Sequence, residues 1–435
     1  MRKKQRTIQP GTGLSRRRFL GVTAGATAAL SFGTFIRSGL GATRLNVLTW
    51  SNTLNAMDDT LREQAKQYTK EKGVEVAFEF VNQTDLPTKT AAAVESGAGD
   101  IITTWSDGAH LHDKALINVS DIAEPLGKQL KGWTNIAKDI GIVNKVWKSV
   151  PWGIIPIAIV YRTDWAKEAG YDKFPDTYDG MLDLAKKMKQ KGHASGFALG
   201  RAIGDANQSH YPMLWAHGGH ECKADGKTVD INSAGTAKAV DYVRQLFKEG
   251  ESEDVLSWDD SSNNRAFLAG ELALTGNAAS IYWAEQKNAP QLRAVTDHAL
   301  WPKGPAGRFG YSTAMGLGIF KFCKAQKEAK EFITWLMQPK QYSAWIGVGE
   351  GQIAGLANYY EDDPVWKKDP KLTVIREIPK YVRMPGFPGP PNRAAAESMV
   401  KYVVVNMFAR GVKGMSTPDT IKQAEAELKD VYGKA

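Results

Sequence analysis

Leu45-Asn46-Val47-Leu48-Thr49-Trp50, then Asp58 to Lys72, then Val74-Glu75-Val76-Ala77-Phe78-Glu79-Phe80 decide the fold class of this 435-residue chain. The first and third pieces read as strands, the third with a clear period of two, and the piece between them carries apolar residues at helical spacing. A second helix from about Leu86 to Glu95, stopped by Gly97, leads into a short strand from Asp100 to Thr104. A β-α-β-α-β opening of this kind builds a mostly parallel sheet with helices on both faces, and ligands bind such sheets at the carboxyl ends of the strands. Trp50-Ser51-Asn52 and Trp105-Ser106-Asp107 both stand at such ends.

Working outward, a second α/β region follows Trp165. Phe174-Pro175-Asp176-Thr177 precedes a helix from about Tyr178 to Lys191, with Thr177 as N-cap and Gly192 as its stop. A strand is expected over Gly196 to Leu199, and helices over Tyr211 to His217, Ser233 to Lys248 and Asn263 to Ala269. Ala325 to Met337 and Pro418 to Tyr432 read as two later helices, and the Pro/Gly-rich run from Arg383 to Pro391 as an extended loop. So long a chain exceeds what one hydrophobic core serves, and two domains are expected.

The N-terminus sets the compartment. Ser15-Arg16-Arg17-Arg18-Phe19-Leu20 opens an apolar, charge-free run to Ile36 that ends in Gly39-Leu40-Gly41-Ala42, the pattern of a cleavable twin-arginine export signal over 1–42. A periplasmic location is therefore expected. Residues 1–42 hold eight of the 56 Lys and Arg and none of the 47 Asp and Glu, so the rest of the chain is nearly neutral. The formal charge of +9 thus gives no reason to expect nucleic acid as a partner. No later stretch is long and apolar enough to span a bilayer. Cys222 and Cys323 are the two cysteines and are expected as free buried thiols, because the twin-arginine route exports chains folded in a reducing compartment.

Four blocks, in order, resemble the family 1 extracellular solute-binding proteins of ABC importers. Gly97-Ala98-Gly99-Asp100-Ile101-Ile102 is similar to the family's Gly-rich turn into a strand, although Gly99 replaces the usual Pro. Pro151-Trp152-Gly153-Ile154-Ile155-Pro156 with Val160-Tyr161-Arg162 resembles the first strand between lobes. The run from Ala266-Phe267 through Gly270-Glu271 to Gly276-Asn277 resembles the family's most recognisable block. Trp301-Pro302-Lys303-Gly304-Pro305 with the helix from Ala325 to Leu336 completes the set. The resemblance implies a periplasmic-binding-protein-like α/β fold, two lobes joined by a three-crossing hinge with the ligand cleft between them. It assigns 43–155 plus 278–314 to lobe 1 and 156–277 plus 315–435 to lobe 2. The crossings would run over Val150 to Tyr161, Leu272 to Ser280 and Phe309 to Phe320. It also implies a monomer without enzymatic activity or cofactor that delivers its solute to the transmembrane subunits of an ABC permease.

A sugar site needs aromatic faces for the C–H patches of the ring and polar groups for its hydroxyls. The chain holds 13 Trp. Those at the inferred cleft are Trp50, Trp105, Trp152, Trp215 and Trp283, with Asn52, Asp107, Asn277 and Tyr311 as polar companions; Trp105 and Trp283 match family positions near the ligand. Each has a packing alternative, and Asp107 an N-capping one. Trp165, Trp335 and Trp345 fall on helical patterns and read as core. His110-Leu111-His112 and His217-Gly218-Gly219-His220-Glu221 lack the i, i+4 placement that a helical zinc site needs, so no metal is expected. Tyr359-Tyr360, followed by Glu361-Asp362-Asp363-Pro364, reads as an exposed surface turn. The alternatives to a sugar are a polyamine, an amino-acid derivative or an iron chelate. A carbohydrate-active enzyme is a further one, because two carboxylates suffice for glycoside hydrolysis.

Overall fold

The computed structural model describes residues 43–82 and 85–434, so the export signal read in 1–42 lies outside the described residues. Strand β1 (Arg44–Trp50) buries Leu45, Val47 and Thr49 in alternation. Helix α1 (Asn55–Lys72) buries Met57, Leu61, Ala65 and Tyr68 along one stripe. It ends at Gly73, whose φ of 71° lies in the left-handed region and whose N–H caps the Thr69 carbonyl. Strand β2 (Glu75–Val81) pairs parallel with the whole of β1. Helix α2 (Leu86–Ser96) then returns the chain to β3 (Ile101–Trp105), parallel to β1 on its other side. The opening expected from the periodicity is present.

Strands β4 (Val150–Ile154) and β5 (Ala158–Arg162) are separated only by Ile155-Pro156-Ile157, yet they belong to different sheets. Pro156 has no N–H to extend a ladder, which favours the break there. Beyond it come α3 (Asp205–Ala216), α4 (Ala234–Gly250), β6 (Leu274–Asn277), α5 (Ser280–Asn288), β7 (Thr296–Ala299) and β8 (Ala314–Ile319). The chain closes with α6 (Gln326–Leu336), α7 (Pro339–Gly347), α8 (Val403–Val412) and α9 (Thr417–Tyr432).

The larger sheet has the order β2-β1-β3-β8-β4, with β8 antiparallel to both neighbours. The smaller has the order β6-β5-β7, each outer strand antiparallel to β5. Pairing runs differently from the expected ranges: β7, inside 278–314, joins β5 of the smaller sheet through Ile159 opposite Ala299, whereas β8, which begins at Ala314, pairs within the larger sheet. Helix α7 stays with the larger sheet, where Gln64 Nε2 on α1 donates to the Gln341 carbonyl at 2.7 Å. Helices α8 and α9 lie against α3 and α4, and Arg244 Nε of α4 donates to the Gly411 carbonyl at 3.1 Å.

The N-cap expected at Thr177 is made, its hydroxyl accepting from Gly180 N at 3.2 Å. The strand expected over 196–199 is not: Gly196 N bonds Leu274 O at 3.0 Å and Leu199 N bonds Val255 O at 2.8 Å, without a ladder. Gly196 sits where a Cβ would come within 2.4 Å of the Trp258 ring, so the segment is shaped by close packing. Tyr360, expected on an exposed turn, is buried, with its hydroxyl donating to the Met337 carbonyl. Trp345 is buried as expected, whereas Trp165 and Trp335 are only partly so. Cys222 and Cys323 are both buried free thiols. Among the described residues no helix is long and apolar enough to cross a membrane.

Candidate functional site

The carboxyl ends of β1 and β3 lie side by side because the two strands are parallel neighbours. Trp50 and Trp105 therefore meet, edge to face, with ring centroids 5.3 Å apart and planes at 89°. Trp50 is buried and Trp105 half-buried, and neither indole N–H has a partner within the protein. Beyond β1, Ser51 N donates to the Val81 carbonyl at 2.7 Å. Asn52 is then pinned by Asp58, a buried residue in the first turn of α1. The Asp58 carboxylate accepts from Ser51 Oγ at 2.8 Å, Asn52 N at 3.0 Å and Asn52 Nδ2 at 2.7 Å. A carboxylate only accepts, so the Asn52 amide must turn its NH2 toward Asp58, leaving Oδ1 without a protein partner.

Beyond β3 the chain turns at Ser106, whose φ of 35° is in the left-handed region and whose N–H bonds the Ala314 carbonyl of β8 at 2.7 Å. Asp107 follows. It starts the short helix Gly108–Leu111 but its side chain makes no capping bond, so capping does not explain it. Burial pushes its carboxyl up to about 6. Tyr311 answers it from the segment entering β8: burial first, then the charges of Asp107 and Glu221, raise the Tyr311 phenol well above its usual range. The Tyr311 hydroxyl donates to Met399 Sδ at 2.9 Å, and its ring lies 5.9 Å from Tyr211 on α3.

From the smaller sheet, Asn277 ends β6. Its amide is tied into a polar triangle: Asn277 Nδ2 donates to Asn264 Oδ1, Asn264 Nδ2 donates to Ser280 Oγ, and Ser280 Oγ donates back to Asn277 Oδ1. One turn on, half-buried Trp283 donates its indole N–H to the Glu350 carbonyl at 2.9 Å.

Two expected site residues are packing residues. Trp152 has no exposed surface and stacks on Trp345 with centroids 4.5 Å apart and planes at 7°. Trp215 is equally buried, among Tyr211, Phe309 and Phe387. Both rings fill the interior rather than a cleft wall.

Sequence reasoning missed Asp58, whose one signal is its place in the first turn of a helix that follows a strand end. It also missed the amino end of α3. There Asp260 Oδ1 accepts from Gly204 N and Asp205 N, both at 2.9 Å, and burial together with the Asp260 and Asp259 charges raises the Asp205 carboxyl well above its usual range. One histidine of each cluster is engaged by a backbone carbonyl: His110 Nε2 lies 2.7 Å from that of Asp139 and His217 Nδ1 2.7 Å from that of Met213. Among the described residues no group of three or more His, Cys, Asp or Glu is placed to hold a metal ion.

The family profile described as bacterial extracellular solute-binding protein matches residues 63–374. The chain is similar to a probable ABC transporter-binding protein of Deinococcus radiodurans, 22% identical over 300 residues, or 66% of this chain and 69% of the relative. It is also similar to the erythritol/L-threitol-binding protein of Mycolicibacterium smegmatis, 21% identical over 273 residues and 56% of each chain. The fold matches that of the maltose-bound MalE3 of T. maritima with a TM-score of 0.72 at 19% identity, covering 90% of this chain and all of that one.

Proposed function

The chain belongs to the bacterial extracellular solute-binding proteins, and on that premise we propose that it captures a neutral polyhydroxylated solute, a sugar or sugar alcohol, for an ABC importer. One lobe is built on the larger sheet and the other on the smaller sheet with α3, α4, α8 and α9. The solute lies between them, and closure about the hinge presents it to the transmembrane subunits of the permease. The observation that carries this reading is the Trp50–Trp105 pair at adjacent strand ends, flanked by Asn52 and by Asp107. Aromatic surface suits the C–H faces of such a solute, and the amide and carboxyl suit its hydroxyls. The solutes of two similar proteins, erythritol or L-threitol and maltose, are of this class. Residues 1–42 act as a twin-arginine signal, and the protein works in the periplasm as a monomer.

The test is a thermal-shift screen of the purified protein against sugars, polyols, polyamines, amino acids and metal chelates. A raised midpoint with one sugar or polyol class is expected. Conversion of that solute to product would instead make the protein a carbohydrate-active enzyme. A second reading, a cationic solute, draws on the neighbouring carboxyls of Asp205 and Asp260 at the amino end of α3, where Asp260 Oδ1 accepts from Gly204 N and Asp205 N. Stabilisation by polyamines alone would select it.

A further inference from the structure

We infer that Trp283 is a latch that holds the cleft closed through its indole N–H, a role separate from any contact between its ring and the solute. Its two halves come from different sheets. Trp283 lies on α5, which follows β6 of the smaller sheet directly and is joined to the end of that strand through Ser280 and Asn277. The acceptor, the Glu350 carbonyl, belongs to the turn after α7, and that turn is fastened to the larger sheet. Gln352 Oε1 accepts from Leu54 N at 3.2 Å, just beyond the carboxyl end of β1, and Ala354 exchanges hydrogen bonds with Ile154 at the end of β4.

Both ends of the bond therefore sit at carboxyl ends of strands, where the solute cleft is placed, and the bond spans from one wall to the other. The turn is shaped to offer this carbonyl: Glu350 has a φ of 43° and Gly351 a φ of 87°, a left-handed pair that a non-glycine residue seldom adopts. Breaking the bond leaves α5 docked, because Tyr282 Oη and Arg293, on the segment just after α5, both reach Asp369 Oδ2, at 2.9 and 3.1 Å. A contact present in the closed arrangement and lost on opening biases the equilibrium toward closure, and solute escape slows in proportion. The geometry of closure rests on the solute-binding reading, but the bond itself does not depend on which solute is bound.

The experiment measures the distance between spin labels at Lys66→Cys on α1 and Lys422→Cys on α9, two exposed sites on the two halves, in the full chain without solute. The native thiols are buried, so the labels go to the new ones. Trp283→Phe keeps an aromatic face and removes the N–H. It should enlarge the long-distance population about five-fold, the factor that one neutral hydrogen bond is worth, and raise the dissociation rate of any solute found by a similar factor. Glu350→Gly retains the carbonyl and suits the backbone angle, so it should leave the distances unchanged. If Trp283→Phe leaves the distance distribution as in the parent, the latch is overturned, even where solute affinity drops. If the distances move but no sugar or polyol binds, the solute reading fails and the latch stands.

Discussion

Replacing Asp58 with alanine removes the one acceptor that serves three donors at the end of β1. Asp58 is 3% exposed, and its carboxylate takes hydrogen bonds from Ser51 Oγ, Asn52 N and Asn52 Nδ2 at 2.7 to 3.0 Å. Asn52 is itself 4% exposed, so two of the abandoned donors cannot turn to bulk water. Hydrogen bonds to a charged group contribute about 1.5–3 kcal/mol each, and a buried donor left unpaired costs about 1–3 kcal/mol. Bonds that share one acceptor do not add, and relief from burying the carboxylate offsets part of the loss. A destabilisation of about 3 kcal/mol follows for Asp58→Ala, and about half that for Asp58→Asn, which keeps the shape and one acceptor. The assay is urea unfolding followed by tryptophan emission, with the slope checked to be unchanged so that the midpoint reports stability. A loss below about 1 kcal/mol for Asp58→Ala would refute the claim that this carboxylate anchors the loop carrying Asn52.

Other outcomes follow from the same geometry. Burial pushes the Glu221 carboxyl from its ordinary 4.5 up to about 7, while the Tyr432 and Tyr211 hydroxyls donate to it at 2.6 and 2.7 Å. The folded chain thus holds this proton more tightly than the unfolded chain. Its contribution is complete below about pH 4.5 and is lost as the pH rises to about 7, by about 3 kcal/mol. Glu221→Gln should remove that part of the pH dependence, so the gap between variant and parent stability, measured by urea titration at pH 5 and 8, should move in favour of the variant at the higher pH. Gly235→Ala should destabilise by about 2–3 kcal/mol, because its Cβ would fall 2.3 Å from the Gly218 backbone, which cannot swing aside. Trp345→Ala should cost about 3–5 kcal/mol in the same assay, since it opens a cavity against the fully buried face of Trp152.

The parts of the fold that could be read from the sequence are those governed by local periodicity. β1, α1, β2, α2 and β3 follow from period-two and helical patterns and from the glycine stop at Gly97, and the parallel arrangement brings Trp50 and Trp105 together. Pairing between distant segments was not legible. Thr296–Ala299 is too short and too polar to announce a strand, yet it completes the smaller sheet, and Gly196–Leu199 has strand composition but makes single backbone bonds to Leu274 and Val255 instead of a ladder. The same limit separates the aromatic residues. A tryptophan at a strand end is placed by the strand, as Trp105 is, whereas Trp152 and Trp215 are assigned to the interior by partners remote in sequence, Trp345 and Phe387. Asp58 escaped notice because acidic residues in a first helical turn are common and ordinarily solvated; its burial depends on how the preceding loop folds back.

The most direct test of solute capture at the carboxyl ends of β1 and β3 is calorimetric titration of the best solute from the screen into three proteins: the parent, Trp105→Ala and Trp335→Ala. Trp335 lies on α6 beside Tyr68, and its indole N–H bonds Glu71, well apart from those strand ends. Trp105→Ala should weaken binding about 30-fold, as loss of an aromatic platform worth about 2 kcal/mol does, while Trp335→Ala should stay within about three-fold of the parent. Equal affinity for all three proteins would contradict capture at those strand ends and move the solute elsewhere in the molecule.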